Sequence, residues 1–233
     1  LRWIMSGAAP VPASLISAYA DIGIPINEAF GMTETCGPAC LLRGMDVADH
    51  PASCGKAFFH TDIRVVDENG SDVRPGEPGE ILVRGRHVMK EYWNNPEATK
   101  DSLRDGWLHS GDVATIDKDG FIYIKDRLTD MIISGGENVY PAEVENVILA
   151  HEKVRDVAVI GQESEKWGES PLAIIVKKSD DLSADEIMAF CVGKLARFKL
   201  PKTVKFIDVI PRNPSGKALK RELRTQFPRE AME

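Results

Sequence analysis

Four short stretches of the sequence pair a glycine-defined turn with a side chain suited to phosphate, ribose or developing charge. In Phe30-Gly31-Met32-Thr33-Glu34, an apolar run ends at glycine and is followed by a hydroxyl and a carboxylate. A glycine there leaves the backbone open to close approach by a ligand, and Thr33 with Glu34 suits a phosphate and its magnesium ion. The same residues also suit a helix start. In Leu108-His109-Ser110-Gly111-Asp112, a carboxylate just after a glycine turn can accept both hydroxyls of a ribose diol; the alternative is an aspartate capping its own turn. Ser134-Gly135-Gly136-Glu137-Asn138 puts two glycines between an apolar run and a proline-started helix, either to let a thin ligand pass or simply to turn the chain. Arg212-Asn213-Pro214-Ser215-Gly216-Lys217 lacks the spacing of a nucleotide-triphosphate loop. It offers one lysine at the tip of a Pro/Gly loop expected to be mobile. Such a cation can neutralise charge developing on a carboxylate or α-phosphate, or it can simply be solvated.

Hydrophobic periodicity indicates the elements that must hold these stretches. Residues 12–21 carry Leu15, Ile16, Tyr19 and Ala20 at helical spacing. Ile24 to Phe30 reads as a strand ending at Gly31, and residues 36–56, rich in Gly, Pro and Cys, as a loop. From residue 60 the period is that of strands: Ile63 to Asp67 before an Asn69-Gly70 turn, Glu80 to Gly85, and Phe121 to Ile124 after Asp117-Lys118-Asp119-Gly120. These strands predict a small barrel or distorted sheet. Pro141 opens a helix with Val144, Val147 and Ile148 on one face. Val154–Ile160, Leu172–Val176 and Val204–Ile207 are strands. Ser183-Ala184-Asp185-Glu186 starts a capped helix with Ile187, Phe190 and Leu195 inward, and 218–227 is a basic final helix. The class is therefore α/β and α+β. Residues 1–126 divide into a mixed segment at 1–56 and a β-rich part at 57–126. A compact α+β unit over 127–233 follows, joined at the charged stretch Lys125 to Asp130, which could serve as a hinge.

Composition excludes several classes. The 233 residues are 43% hydrophobic and 28% charged, with a net charge of −7, and contain no basic block suited to nucleic acid. No apolar run approaches the ~20 residues of a membrane span, and the N-terminus is unlike a secretory leader. The chain begins Leu1-Arg2-Trp3-Ile4-Met5, which reads as a cut within a longer protein. Cys36, Cys40 and Cys54 with His50 match no common zinc spacing, so buried or loop thiols in a reducing cytosol, with Cys191, are the expectation. Predicted localisation is cytoplasmic.

Taken in order, Phe30-Gly31-Met32-Thr33-Glu34, Gly79-Glu80-Ile81-Leu82-Val83-Arg84-Gly85, Ser110-Gly111-Asp112, Asp126-Arg127 with Ser134-Gly135-Gly136-Glu137, and Pro214-Ser215-Gly216-Lys217 resemble motifs of the adenylate-forming superfamily. That superfamily contains acyl-CoA synthetases, luciferases and peptide-synthetase adenylation domains. Ser6-Gly7-Ala8-Ala9-Pro10 resembles an earlier nucleotide-site motif, and the resemblance covers essentially the whole chain. It implies a two-step reaction. A carboxylate attacks the α-phosphate of ATP to give acyl-adenylate and pyrophosphate, and CoA thiolate then displaces AMP. By the resemblance, Glu34 helps to bind Mg2+ and Thr33 the phosphates. Phe30 and Gly31 lie against the adenine with Ser6, Gly7 and Ala8 nearby, Asp112 and Arg127 grip the ribose, and Lys217 is the adenylation lysine. It also implies that 1–126 is the end of a large AMP-binding domain, with its nucleotide-site segment at 1–56 and a distorted β-barrel subdomain at 57–126. By the same resemblance, the small mobile C-terminal domain over 127–233 rotates between half-reactions and presents Gly135 and Gly136 to the pantetheine arm, while Trp167, Phe198 and Lys202 contact CoA.

Two departures stand out. The hinge position, often Asp or Lys in the superfamily, falls at Thr129. The Ser/Thr/Gly-rich phosphate loop is absent from the sequence, so the isolated chain is expected to be inactive in adenylation. The segment 27–42, with Ala29, Gly37, Pro38, Ala39, Leu41 and Leu42, suits an uncharged acyl group. A fatty acyl-CoA ligase for medium or long chains is the first reading. An aryl-CoA ligase, an acyl-AMP ligase and a non-catalytic or regulatory fragment are the alternatives. Partners are then the acid, ATP and CoA, with no nucleic acid; peripheral membrane contact and a homodimer stay open.

Overall fold

A computed structural model describes residues 1–7, 11, 13–214 and 216–228. The chain divides into two compact units, Leu1–Leu128 and Thr129–Glu233. The division falls two residues beyond the expected 126/127 boundary. Arg127 pairs with Asp112 in a strand ladder of the first unit, which keeps it there.

In the first unit, Ile4–Ser6 (β1) and Ile26–Met32 (β2) are parallel neighbours with the helix Ala13–Asp21 (α1) between them in sequence. Gly37–Leu41 (β3) and Lys56–Ala57 (β4) complete a sheet in the order β1-β2-β3-β4. Two expectations change here. The strand does not stop at Gly31 but continues to Met32, and residues 36–56 are not all loop, since they contain β3 and open β4. Gly31 is the reason for both. A Cβ at that position would sit 2.3 Å from the Gly37 carbonyl oxygen and 2.9 Å from Pro38 Cα. Its missing side chain therefore admits the neighbouring strand, at a point where the register shifts.

A second sheet holds Thr61–Val66 (β5), Pro78–Gly85 (β6), Leu103–Arg104 (β7), Trp107–Ile116 (β8) and Ile122–Arg127 (β9). The helix Pro96–Ser102 (α2) precedes β7, and the Asn95 side chain caps it by accepting from Ala98 N at 3.1 Å. Its order is β5-β6-β8-β7, with β9 also on β8, so the sheet is open rather than a closed barrel. Inward residues Val65, Ile81, Val83, Leu108, Ala114 and Ile122 share one core with Ala39, Cys40 and Cys54. Within that core Cys54 donates to the Ile122 carbonyl at 3.3 Å. Its thiol is pushed well up by a hydrogen bond with Cys40 and by burial.

In the second unit Ile132–Ser134 (β10) and Glu137–Val139 (β11) form a hairpin, followed by the helix Pro141–Leu149 (α3). Val154–Ser164 (β12), Gly168–Lys177 (β13) and Thr203–Phe206 (β14) carry the sheet, and Ala184–Cys191 (α4) and Lys220–Gln226 (α5) cover it. Alternation places Val157, Val159, Ala173 and Ile175 with Val144, Ile148 and Ile187 of α3 and α4. Ala158, Ile160, Leu172 and Ile174 face the other way, with Leu223 of α5. Covered on both faces, β12 and β13 read as continuous apolar runs. Ser183 Oγ accepts from Glu186 N at 3.2 Å, so the cap at α4 forms. Leu195 is buried in the same core but lies beyond α4, which ends at Cys191 before Gly193 at φ 80°. The last helix begins at Lys220 rather than 218, because Ala218 pairs with Arg212. Among the described residues, no helix is long and apolar enough to cross a membrane.

Candidate functional site

The centre of the first unit's site is an irregularity in β8. Along β6 one residue, Ile81, separates Glu80 from Leu82, but their partners on β8 are Val113 and His109. Ser110, Gly111 and Asp112 therefore bulge from the ladder, and Gly111 takes φ +71° with open space around it. Asp112 is only 7% exposed, and its backbone N–H donates to Ser110 Oγ at 3.0 Å. On the opposite edge, Asp112 stands across from Arg127 of β9, and Arg127 Nε reaches Asp112 Oδ1 at 3.2 Å. Sheet register thus joins two residues 15 positions apart in the sequence. The Glu80 side chain bridges the bulge, accepting from Gly111 N at 3.0 Å and meeting His109 Nδ1 at 2.8 Å.

Glu34 lies in a single helical turn, Thr33–Thr35, directly after β2. Its backbone carbonyl accepts from Met89 N at 2.8 Å, and its carboxylate Oε1 accepts from Tyr92 Oη at 2.8 Å. Burial, and then the Glu34 bond, raise the Tyr92 phenol above its ordinary value. Glu34, Tyr92, Glu80, His109, Gly111 and Arg127 line one cavity of about 300 Å³. The residue that fixes the turn is Thr35, fully buried: its hydroxyl accepts from Met32 N at 3.0 Å and donates to Gly37 O at 2.6 Å. Thr33 is exposed. Among the described residues, no three His, Cys, Asp or Glu side chains gather as a metal cluster. One held carboxylate is nonetheless what Mg2+ ordinarily takes from a protein when phosphate oxygens and water supply the rest.

Of the remaining predicted residues in this unit, Ser6 stands opposite Glu28 in the β1–β2 register. A Cβ on Gly7 would lie 3.1 Å from the Ala29 carbonyl, so Ser6 and Gly7 run beside the strand that carries Phe30 and Gly31. Burial raises the Glu28 carboxyl, against the opposing bond from Val11 N at 3.2 Å. Phe30 packs against the barrel-like sheet's core. Ala8 lies outside the described residues.

In the second unit, Gly135 and Gly136, at φ 63° and 87°, form the two-residue turn of the β10–β11 hairpin. Gly135 N donates to Trp167 O at 2.8 Å, and a Cβ on Gly135 would sit 2.9 Å from Trp167 Cε3. Two predicted CoA contacts are therefore neighbours, with the indole 42% exposed. Phe198 packs on the α3–α4 side of the core, and the Lys202 side chain is exposed. Lys217 does not sit on the loose tip expected. Asn213 N donates to Lys217 O at 2.9 Å, Lys217 N donates to Asn213 Oδ1 at 2.9 Å, and Arg212 ties the stem to Gly216 O and to Asp156. The lysine is half-buried on the returning arm, beside Ala218, which packs on the α5 side. Thr129 is the first residue of the second unit, and its carbonyl accepts from Arg224 Nη2 at 3.5 Å.

With this geometry in view, the comparisons are consistent. The sequence model for the AMP-binding enzyme matches residues 1–93, and that for the AMP-binding enzyme C-terminal domain matches residues 143–217. The long-chain-fatty-acid–CoA ligase FadD13 of Mycobacterium tuberculosis is 47% identical over 226 residues, covering 97% of this chain and 45% of the relative. A feruloyl-CoA synthase of Amycolatopsis is 48% identical over 228 residues, covering 97% and 46%. The o-succinylbenzoate CoA synthetase MenE of Bacillus subtilis, solved with its acyl-adenylate OSB-AMP, superposes with a TM-score of 0.91 at 39% identity. That match covers 99% of this chain and 47% of the other. The chain belongs to the AMP-binding enzyme family of adenylate-forming proteins. It spans about half the length of the curated relatives it matches, 45% and 46% for the two ligases above.

Proposed function

We propose that the protein carrying this sequence is an ATP-dependent acid–thiol ligase that activates a carboxylic acid as acyl-AMP and passes the acyl group to CoA. The observation that carries the reading is a cavity lined both by Glu34, whose carboxylate Tyr92 holds, and by Arg127, which pairs with Asp112 at 3.2 Å. In this reading Asp112 accepts from the ribose hydroxyls, with Arg127 fixing the carboxylate, and Phe30, Gly31, Ser6 and Gly7 line the base. Thr33 donates to phosphate oxygens. Mg2+, held by Glu34, neutralises phosphate charge when bound. The substrate carboxylate attacks the α-phosphorus, the bond to pyrophosphate breaks, and Lys217 neutralises charge on the transferring group. The CoA thiolate then attacks the acyl carbon and AMP leaves. Trp167 beside Gly135 offers an apolar face for the pantetheine arm, with Phe198 and Lys202 contributing further contacts and Thr129 acting as the pivot between half-reactions.

The acid of first choice is a medium- or long-chain fatty acid, supported by the small and apolar side chains in the segment 27–42 that are not taken up by the core, Ala29, Gly37, Pro38 and Leu41; Ala39 and Leu42 are buried in it. An aryl acid is the second reading, supported by the feruloyl-CoA synthase at 48% identity beside the fatty acid ligase at 47%. A screen of fatty and aryl acids with ATP, Mg2+ and CoA tests both readings. Thioester from alkyl acids favours the first and thioester from cinnamate-type acids the second. No thioester and no AMP from any acid removes the ligase reading.

A further inference from the structure

We infer that Glu80 is a positioning residue of the nucleotide site: its two carboxylate oxygens hold the β8 bulge that presents Asp112. The inference rests on reading Asp112 as the ribose ligand, but no motif carried to this chain gives Glu80 a role. A bulge leaves backbone donors without ladder partners, and each must be satisfied another way. Here Glu80 Oε1 accepts the Gly111 N–H at 3.0 Å and Oε2 takes the His109 ring at 2.8 Å. An ionised carboxyl only accepts, so the ring presents Nδ1–H to it. Both side chains are mostly shielded, at 17% and 18% exposure, which strengthens bonds of this kind.

Glu80 is itself fixed from behind. It pairs with Val66 on one side and Val113 on the other, and a Cβ on the preceding Gly79 would lie 2.4 Å from the Val66 carbonyl. At Gly111 itself, among the described residues, no atom beyond its chain neighbours lies within 4 Å of where a Cβ would be, so no side-chain packing holds that residue. Side-chain hydrogen bonds from the Gly111 N–H to Glu80 and from the Asp112 N–H to Ser110 meet at this left-handed residue just before Asp112, while β9 pairs with Asp112 on the other edge. Asp112 is the next residue, so an error at Gly111 passes directly to its carboxylate and to its 3.2 Å contact with Arg127.

The test measures AMP and 2′-deoxy-AMP binding by calorimetry in the wild-type protein and in Glu80→Ala and Glu80→Gln. Wild type is expected to prefer AMP, because Asp112 uses both hydroxyls. Glu80→Ala should weaken AMP by roughly ten-fold or more, the worth of a hydrogen bond to a charged group, and bring the AMP/2′-deoxy-AMP ratio toward unity. Glu80→Gln keeps an oxygen for Gly111 N and offers its amide to the other tautomer of His109, so the ratio should stay within roughly three-fold of wild type. If Glu80→Ala does not fold, Glu80→Asp, whose oxygens fall one methylene short, should show the same loss of ratio. A wild-type ratio retained in Glu80→Ala, whatever its affinity, or lost in Glu80→Gln, overturns the inference. A wild-type protein without preference between the two nucleotides refutes the ribose reading itself, and with it the inference, and is recognised because no variant is involved.

Discussion

Replacing Gly31 with alanine tests how the β2–β3 pair is built. The added Cβ would lie 2.3 Å from the Gly37 oxygen, about 1.1 Å inside the 3.4 Å at which ordinary contact begins, and close to two further backbone atoms. No side chain can rotate away, so the strands must part by roughly that distance. Overpacking of this kind costs about 1–3 kcal/mol. The adjoining ladder bonds at Phe30–Cys40 and Met32–Gly37 loosen with it, at about 1 kcal/mol each. The sum is about 3–5 kcal/mol, and at about 2–4 °C per kcal/mol for chains of this size it lowers the melting temperature by roughly 6–20 °C. Scanning calorimetry without nucleotide reads this directly, separating packing from any effect on ligand binding. Gly44→Ala is the control: its Cβ would meet only Asn27 Oδ1, at 3.6 Å, and the change should be neutral or slightly stabilising. A Gly31→Ala protein melting within about 2 °C of wild type would refute the reasoning.

Three further outcomes are expected. Tyr92→Phe removes the donor to Glu34 Oε1; one bond of this kind is worth about 1.5–3 kcal/mol, so half-saturating Mg2+ in ATP-dependent turnover should rise about ten-fold or more, and an unchanged requirement would show that the bond does not orient the carboxylate. Lys217→Ala should lower acid-dependent ATP–pyrophosphate exchange by roughly 10²–10³-fold, the worth of one transition-state donor, while thiolysis of supplied acyl-AMP largely survives; unchanged exchange would place the lysine outside the first step, and equal loss of both would show that its role is not confined to it. Asp181, hydrogen-bonded by Lys153 and by Ser179, is lowered from 3.8 to about 2. A depressed carboxyl stabilises the fold above its unfolded value and loses that contribution as pH falls through the folded one. Lys153→Met should therefore flatten the acid limb of urea midpoints between pH 3.8 and about 2, and parallel curves for the two proteins would contradict the assignment.

Elements whose cause is local were legible in the sequence. Pro141 and the Ser183 cap start α3 and α4 where expected, and the apolar runs of β12 and β13 announced strands, which the structure covers on both faces. What stayed hidden depends on register and distant contacts. The Tyr92–Glu34 bond joins residues 58 apart, and no short-range pattern foretells it. The run Gly79 to Gly85 was visible as a strand, but Glu80's task appears only once β8 bulges opposite it. Gly31 was read as an opening for a ligand; it is first an opening for β3. The loop before Lys217 carried Pro and Gly, the usual signs of mobility. Yet Asn213 and Arg212 close its stem through bonds that composition does not reveal.

Oxygen tracing tests acid activation most directly. The protein would be given ATP, Mg2+, CoA and an accepted acid labelled with ¹⁸O in both carboxylate oxygens, and the products analysed by mass spectrometry. Attack of the carboxylate on the α-phosphorus leaves one labelled oxygen in AMP and the other in the thioester carbonyl. Label in inorganic phosphate, with ADP formed in place of AMP, would contradict the adenylate.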